Sequence, residues 1–347
     1  HEVTESLRAD LRRADPTEVP NEVYDVLFDI DDAIANLADW MEPEQHASHE
    51  SLAGTAQRVT YEGRGAVLLF GPWNFPFNLI FQPLVPIIAA GNTAIVKPNE
   101  LSPNTSALVT RIIREAFDET DVAVFEGGID LANLLLEFPF DHIFFTGSPK
   151  VAKVVMAAAA NHLASVTLEL GGKCPVIVDG TTNLDDVVAS VAGGKVYNAG
   201  QICLTPDHAW IHEDVVDEFV AKFSTWITDN LYPGGDFAEQ HFGRIVDERN
   251  FDRVQSYISD AIDRGARLIG TGASDRSTLT IHPGLLLDVP LNADIMQEEI
   301  FGPVLPVHTY RDPAEIIEHV RSGGKPLAIY VYSSDADFVD EVVASTS

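Results

Sequence analysis

Between residues 65 and 160, short apolar runs alternate with longer segments of helical character, and this alternation limits the fold more than any other feature of the chain. The runs Gly65 to Phe70, Thr93 to Val96, Val122 to Phe125 and His142 to Phe145 read as strands, while Leu79 to Ala90 and Thr105 to Ala116 read as helices. Such β-α-β alternation favours a mainly parallel sheet covered by helices on both faces, with ligands at the carboxyl ends of its strands. A second alternating block follows Gly172, with strands expected near Val176 to Val178, Ala209 to Ile211, Arg267 to Gly270 and Leu327 to Tyr332. There Asp247 can cap a helix whose Phe251, Val254, Ile258 and Ile262 share one face and which stops at Gly265. The reading is an α/β protein of two domains, residues 1–170 and 171–347.

Ahead of the first block, Val23, Leu27, Ile30, Ile34 and Leu37 step by four, three, four and three, which predicts a long helix from Asn21 to Trp40 ended by Pro43. Glu44 to Gln57 is polar and aperiodic and reads as a loop. The apolar stretches near Phe77 to Ala90 and Val151 to Ala160 are interrupted by Asn78, Gln82, Pro83, Pro86 and Lys153, so no membrane span is expected. No basic n-region or apolar h-region follows His1, so no secretory signal is expected in these residues. Two isolated cysteines, Cys174 and Cys203, make no disulfide framework and suit a reducing cytoplasm. With 22 Lys+Arg against 53 Asp+Glu, the net charge of −31 repels nucleic acid and anionic membranes. An excess of this size suits a saline medium, where salt screens the self-repulsion.

Cys203 lies in Asn198-Ala-Gly-Gln-Ile-Cys-Leu, after a helical stretch from Leu184 to Tyr197. A lone thiol is most often buried and structural, but Gly200 permits a sharp turn or a close approach just before this one, so an accessible nucleophile fits. Glu169, in Thr167-Leu-Glu-Leu-Gly-Gly-Lys173, is flanked by Leu168 and Leu170. Apolar surroundings would raise its pKa toward that of a general base, against the plainer reading of a solvated acid at a strand end. Asn74 is the centre of Phe70-Gly-Pro-Trp-Asn-Phe-Pro-Phe-Asn78 and is either a turn residue or a donor to a developing oxyanion. A strand delivers Lys97 and Glu100 to its carboxyl end, where a nucleotide ribose and phosphate would lie, and Gly147-Ser148 precedes a helix starting at Pro149, which suits a pyrophosphate. The G-x-G-x-x-G and Walker A patterns and H-E-x-x-H do not occur, and His208 and His212, four apart on an expected strand, read as non-ligands; no metal is expected.

Taken together, Gly71 to Pro76, Ala90 to Pro98, Phe145 to Ser148, Leu168 to Lys173, Gly200 to Cys203 and Gln297 to Pro303 resemble the aldehyde dehydrogenase superfamily, in family order over nearly the whole chain. Phe77-Asn-Leu, Ile87 to Gly91, Val166 to Leu170 and Leu204 to Asp207 are similar to the class 3 branch, which handles fatty and aromatic aldehydes. The resemblance implies a Rossmann-like cofactor domain and an α/β catalytic domain. It implies Cys203 as nucleophile, Glu169 as base and Asn74 as oxyanion donor. It further implies Lys97 and Glu100 on the adenosine ribose, Gly147 and Ser148 at the pyrophosphate, Glu299 and Phe301 around the nicotinamide ribose, and Phe70, Trp73 and Leu170 as further cofactor contacts.

Glu100 repels a 2′-phosphate and leans toward NAD, with NADP possible in this branch. A small-molecule aldehyde substrate, medium- or long-chain aliphatic or aromatic, a cytoplasmic site and, at full length, a homodimer are expected, with neither nucleic acid nor membrane as partner. Phe75, Phe77 and Tyr197 neighbour these motifs as either channel lining or core. Ala152 departs from the family, which often has a second glycine there. The chain begins near the second expected helix and stops before the family's C-terminal segment, so alone it would be expected to expose a sheet edge and be weakly active or insoluble. Two rivals stand beside this reading. A CoA-acylating aldehyde dehydrogenase would not need the water-activating Glu169, and a catalytically silent binding or structural member would not need Cys203, Glu169 and Asn74 together.

Overall fold

The computed structural model describes residues 1–13, 19–270 and 272–346. The chain divides into two units, His1–Ser6 with Val19–Glu169, and Leu7–Glu18 with Leu170–Ser347. After α1 (Glu2–Leu11), α2 (Asn21–Trp40) occupies the span that its apolar spacing predicts. The stretch expected as loop instead contains an antiparallel pair, β1 (Glu44–His46) and β2 (Gln57–Val59). Five of its six strand residues are exposed and the sixth, Gln57, is half-buried, so the pair rests on backbone bonding and carries no apolar signature.

The first unit continues as β3 (Ala66–Phe70), α3 (Asn78–Ala89), β4 (Thr93–Lys97), α4 (Pro103–Ala116), β5 (Val122–Val124), α5 (Ile129–Leu135), β6 (His142–Gly147), α6 (Pro149–Ala160) and β7 (Ser165–Leu170). Its five-stranded sheet has the order β5-β4-β3-β6-β7. β4 and β6 both run parallel to β3, with Phe70 opposite Lys97 on one side and Phe145 on the other, so these three carboxyl ends form one edge. Val67, Leu69 and Val96 of the sheet pack with Ile80, Leu84, Val109 and Ile113 of the helices.

α3 has Phe77 at its N-cap and no capping side chain of its own. Glu22 of α2, almost fully buried, supplies the acceptor: its Oε2 takes the Asn78 N–H at 2.8 Å, where a carboxylate also meets the positive end of the helix dipole. Asp25 and Asp29 continue along that face of α2 to the side-chain amides of Asn78 and Gln82. The acidic face of α2 thus fixes where α3 begins and where the loop before it must end. No helix among the described residues is long and apolar enough to cross a membrane.

The second unit holds β8 (Pro175–Val178), α7 (Leu184–Val196), β9 (His208–His212), α8 (Val216–Leu231), α9 (Glu248–Asp263), β10 (Arg267–Gly270), β11 (Gly284–Leu287), α10 (Asp294–Gln297), β12 (Val304–Tyr310), α11 (Pro313–Ser322), β13 (Tyr330–Tyr332) and α12 (Ala336–Thr346). Asp247 caps α9 as expected, accepting the Asn250 N–H at 2.7 Å. The sheet order is β10-β11-β12-β9-β8-β13, and only the edge strand β10 pairs antiparallel. Strand alternation sends Ala209, Ile211, Leu305 and Val307 into the core under α7, α8 and α9. Ile177, Trp210 and Tyr310 face α11 and α12 instead.

That second face also holds three imidazoles. Trp210 stacks on His308 with ring centroids 4.9 Å apart, and His319 lies 5.1 Å from both Trp210 and His208. The buried His208 Nδ1 is 3.5 Å from Asp207 Oδ1, too long for an effective hydrogen bond. Burial holds all three rings below the usual imidazole range, His308 at about 3 and His319 at about 4. An unfolded chain would protonate them near pH 6.5, so between those values it binds more protons than the folded one, and stability present above 6.5 is lost as pH falls. We expect the urea midpoint to drop from about pH 7 to about pH 5, and His308→Leu to shrink that drop; an equal drop in the variant would contradict the assignment.

Candidate active site

α7 ends in a turn that leads into Cys203, the nucleophile expected from sequence. Asn198 (φ 46°), Ala199 (φ 53°) and Gly200 (φ 73°) are left-handed in succession, and each non-glycine residue there costs roughly 1–2 kcal/mol. Only glycine fits at 200, because a Cβ would sit 2.3 Å from the Gly302 carbonyl oxygen. Gln201, fully buried, pins the turn: its Nε2 donates to Asn198 O at 3.0 Å and Arg244 O at 2.9 Å, and its Oε1 accepts the Val246 N–H at 3.0 Å. Past this turn Cys203 is half-buried, whereas Cys174 is wholly buried, with Sγ 3.4 Å from Cys203 O. Burial pushes the Cys174 thiol up to about 11, which leaves it a packing residue.

The segment around Glu299 borders that turn through Gly302. Glu299 Oε1 accepts the Gly172 N–H at 3.2 Å, and a Cβ on Gly171 would lie 2.2 Å from the same oxygen, so the glycine at 171 admits this carboxylate. Arg253 Nη1 donates to Glu299 O at 3.2 Å and Ile300 O at 2.9 Å, holding the backbone into Phe301, itself at φ 47°. Burial, with the negative charge of Asp207 adding to it, raises the Glu299 carboxyl to about 7. Lys195, completely buried in the last turn of α7, donates to Pro206 O at 2.8 Å, and burial lowers it to about 8.

In the first unit, the edge formed by the ends of β3, β4 and β6 gathers Phe70, Lys97 and Gly147. Lys97 is buried rather than solvated, with Nζ 2.9 Å from Glu100 Oε2 and 3.1 Å from Pro98 O. Ser148 is the N-cap of α6 and its Oγ accepts the Val151 N–H at 3.4 Å, which leaves a helix N-terminus next to Gly147. A Cβ on Gly147 would meet the Phe145 ring at 2.7 Å. A buried cation, a helix N-terminus and the carboxyl edge of a parallel sheet fit a dinucleotide.

Trp73 is half-buried and Asn74 buried, in a loop whose start is held by Gly71 N–H to Lys97 O at 3.0 Å. Phe77 belongs to the core against Phe81 rather than to a channel. Glu169 requires a correction: it is exposed, because Leu168 and Leu170 point to the opposite face of β7 and do not enclose it. The carboxyl whose ionisation burial raises is the half-buried Glu299.

The sequence profile of the Aldehyde dehydrogenase family matches residues 2–347. Coniferyl aldehyde dehydrogenase of Pseudomonas sp. (strain HR199 / DSM 7063) is 40% identical over 333 residues, covering 92% of this chain and 68% of that protein. Aldehyde dehydrogenase family 3 member A2 of Mus musculus is 37% identical over 346 residues, covering 100% and 70%. The substrate-bound state of Staphylococcus aureus AldH superposes with a TM-score of 0.94 at 37% identity, over 100% of this chain and 75% of that one. The chain belongs to the aldehyde dehydrogenase family. Aldehyde dehydrogenases are oxidoreductases that convert aldehydes to acids with NAD or NADP.

Sequence reading missed several polar residues that shape this aldehyde dehydrogenase. Gln201 and Lys195 stand among small or apolar neighbours, Asp207 directly precedes the strand His208–His212, and Glu22 sits in the first turn of α2. A polar residue beside or within an apolar run was the one signal available. The different burial of the two thiols gives a direct check. Iodoacetamide at mildly alkaline pH should alkylate Cys203 in the folded enzyme and spare Cys174, as read by peptide mass spectrometry; equal labelling would contradict the accessibility described.

Proposed function

We propose that this chain oxidises a medium- or long-chain aliphatic or an aromatic aldehyde to its carboxylic acid with NAD(P)+, the first unit holding the cofactor and the second carrying the nucleophile. The single observation that supports it most is the half-buried Cys203, set beyond a strained, pinned turn, while the other thiol is inert. The likeness to a coniferyl aldehyde dehydrogenase supports an aromatic substrate. The two free cysteines support a cytoplasmic site, and the family resemblance supports a homodimer.

In this reading the Cys203 thiolate adds to the carbonyl carbon, and the electron pair moves onto oxygen, where the Asn74 amide and the Cys203 backbone N–H donate to it. The nicotinamide cofactor, when bound, supplies the acceptor for the aldehydic hydride. With hydride gone, the acyl group remains on Sγ as a thioester. Glu169 takes a proton from water, the hydroxide adds to the acyl carbon, and collapse expels the thiolate and the acid. The exposure of Glu169 suits that step, since its proton must reach solvent. Lys97 and Glu100 would hold the adenosine ribose, Gly147 and Ser148 the pyrophosphate, Glu299 and Phe301 the nicotinamide ribose, with Phe70, Trp73 and Leu170 alongside.

Formation of reduced cofactor from a panel of aldehydes should disappear in Cys203→Ala, with rate constants down by roughly 10⁴-fold or more. Turnover that survives in the variant, or that needs added CoA, would overturn the proposal. The ionisation of Glu299 gives a second check. A ribose hydroxyl is accepted better by the ionised carboxylate, which forms as pH rises through about 7. The cofactor KM should therefore fall as pH is raised across that value and become flat in Glu299→Gln; a flat wild-type profile would count against the assigned role.

A further inference from the structure

Lys173 uses all three of its ammonium donors inside the protein. It donates to Asp207 Oδ1, to Ile295 O at 2.9 Å and to Glu298 O at 3.0 Å. Asp207, fully buried, is equally committed, because its Oδ2 accepts the Ile300 N–H at 2.9 Å and its own N–H donates to Cys174 O at 2.9 Å. One ion pair therefore joins three segments: Gly171 to Cys174, Cys203 to Asp207, and Ile295 to Phe301. The first makes room for the Glu299 carboxylate at Gly171 and donates to it from the Gly172 N–H, the second carries the thiol, and the third carries Glu299 and Phe301.

Burying such a pair is a poor way to stabilise a core, since apolar residues of similar volume often do as well. What it supplies is direction. Five bonds at fixed angles set the Cys203 loop against the Glu299 backbone, and Ile300, held by Asp207, directly precedes the left-handed Phe301.

We propose that Lys173 and Asp207 are positioning residues that lock the nucleophile's loop to the segment carrying Glu299, so that the thiol and the nicotinamide-ribose carboxylate keep a fixed relation through turnover. This rests on the roles of Cys203 and Glu299 proposed above. The pair also acts on Glu299 through charge. Asp207 raises that carboxyl, while Lys173, Arg253 and the Gly172 N–H lower it.

The test measures kcat, both KM values and the pH dependence of the cofactor KM in Asp207→Asn, Lys173→Met and Lys173→Arg, with Cys203→Ala beside them and folding checked by thermal melting. Asp207→Asn keeps an acceptor for the Ile300 N–H, and Lys173→Arg keeps the charge, so at least these two should fold. We expect kcat to fall on the order of 10²-fold in Asp207→Asn and Lys173→Met. The aldehyde KM should move less than about twofold, and Lys173→Arg should recover part of the rate.

The inflection of the cofactor KM should move to lower pH in Asp207→Asn and to higher pH in Lys173→Met. A purely structural pair would move neither inflection. Folded Asp207→Asn and Lys173→Met enzymes with wild-type kcat and unshifted profiles, beside a dead Cys203→Ala, would overturn the positioning role alone. An active Cys203→Ala would overturn the reading on which it rests.

Discussion

Three consecutive residues of left-handed backbone, Asn198 to Gly200, decide where the sulfur of Cys203 can be. Two of them carry side chains and are strained by roughly 1–2 kcal/mol each. A typical hydrogen bond contributes about 1 kcal/mol, so the three bonds of Gln201 are of the size needed to offset that strain. The turn also has to lie against the backbone of Gly302, which only a glycine at 200 allows. Strain, pin and contact together bring the loop of the thiol next to the loop of Glu299, and the proposed chemistry depends on that arrangement.

The charges of the chain fall into two populations with different physics. Most of the net charge of −31 lies on side chains in water, where ion pairs such as Arg276 with Glu248 and Asp252 are screened and contribute little to stability. Around the proposed site the buried charges include Asp207 and Lys195, with the ion-paired Lys173 and Glu299 half-buried beside them. There burial shifts ionisations strongly, raising Glu299 to about 7 and lowering Lys195 to about 8, with neighbouring charges acting second. The surface governs behaviour in salt, and this small buried group tunes the site.

Sequence revealed what repeats locally. The strands at Ala66–Phe70, Thr93–Lys97 and His142–Gly147 are apolar runs, α2 is a four-three spacing, and Asp247 is a capping residue ahead of an apolar face. The cysteine turn was legible through Gly200. Other features depend on tertiary burial and left no local trace. The pair β1 and β2 is almost entirely exposed, so no periodicity could reveal it. The leucines on either side of Glu169 suggest apolar surroundings, yet neighbours on a strand face opposite ways. Asp207 and Lys173 meet across 34 positions, and their pairing is visible only once β8 and β9 lie side by side.

The most direct test of the account is to look for the covalent intermediate. Glu169→Gln enzyme, given an aldehyde and NAD(P)+, quenched in acid and examined by peptide mass spectrometry, should carry an acyl group on Cys203. The added mass should equal that of the aldehyde less two hydrogens, with about one reduced cofactor formed per enzyme and no free acid. An acyl group on another residue, or reduced cofactor and free acid produced continuously with Cys203 unmodified, would contradict it.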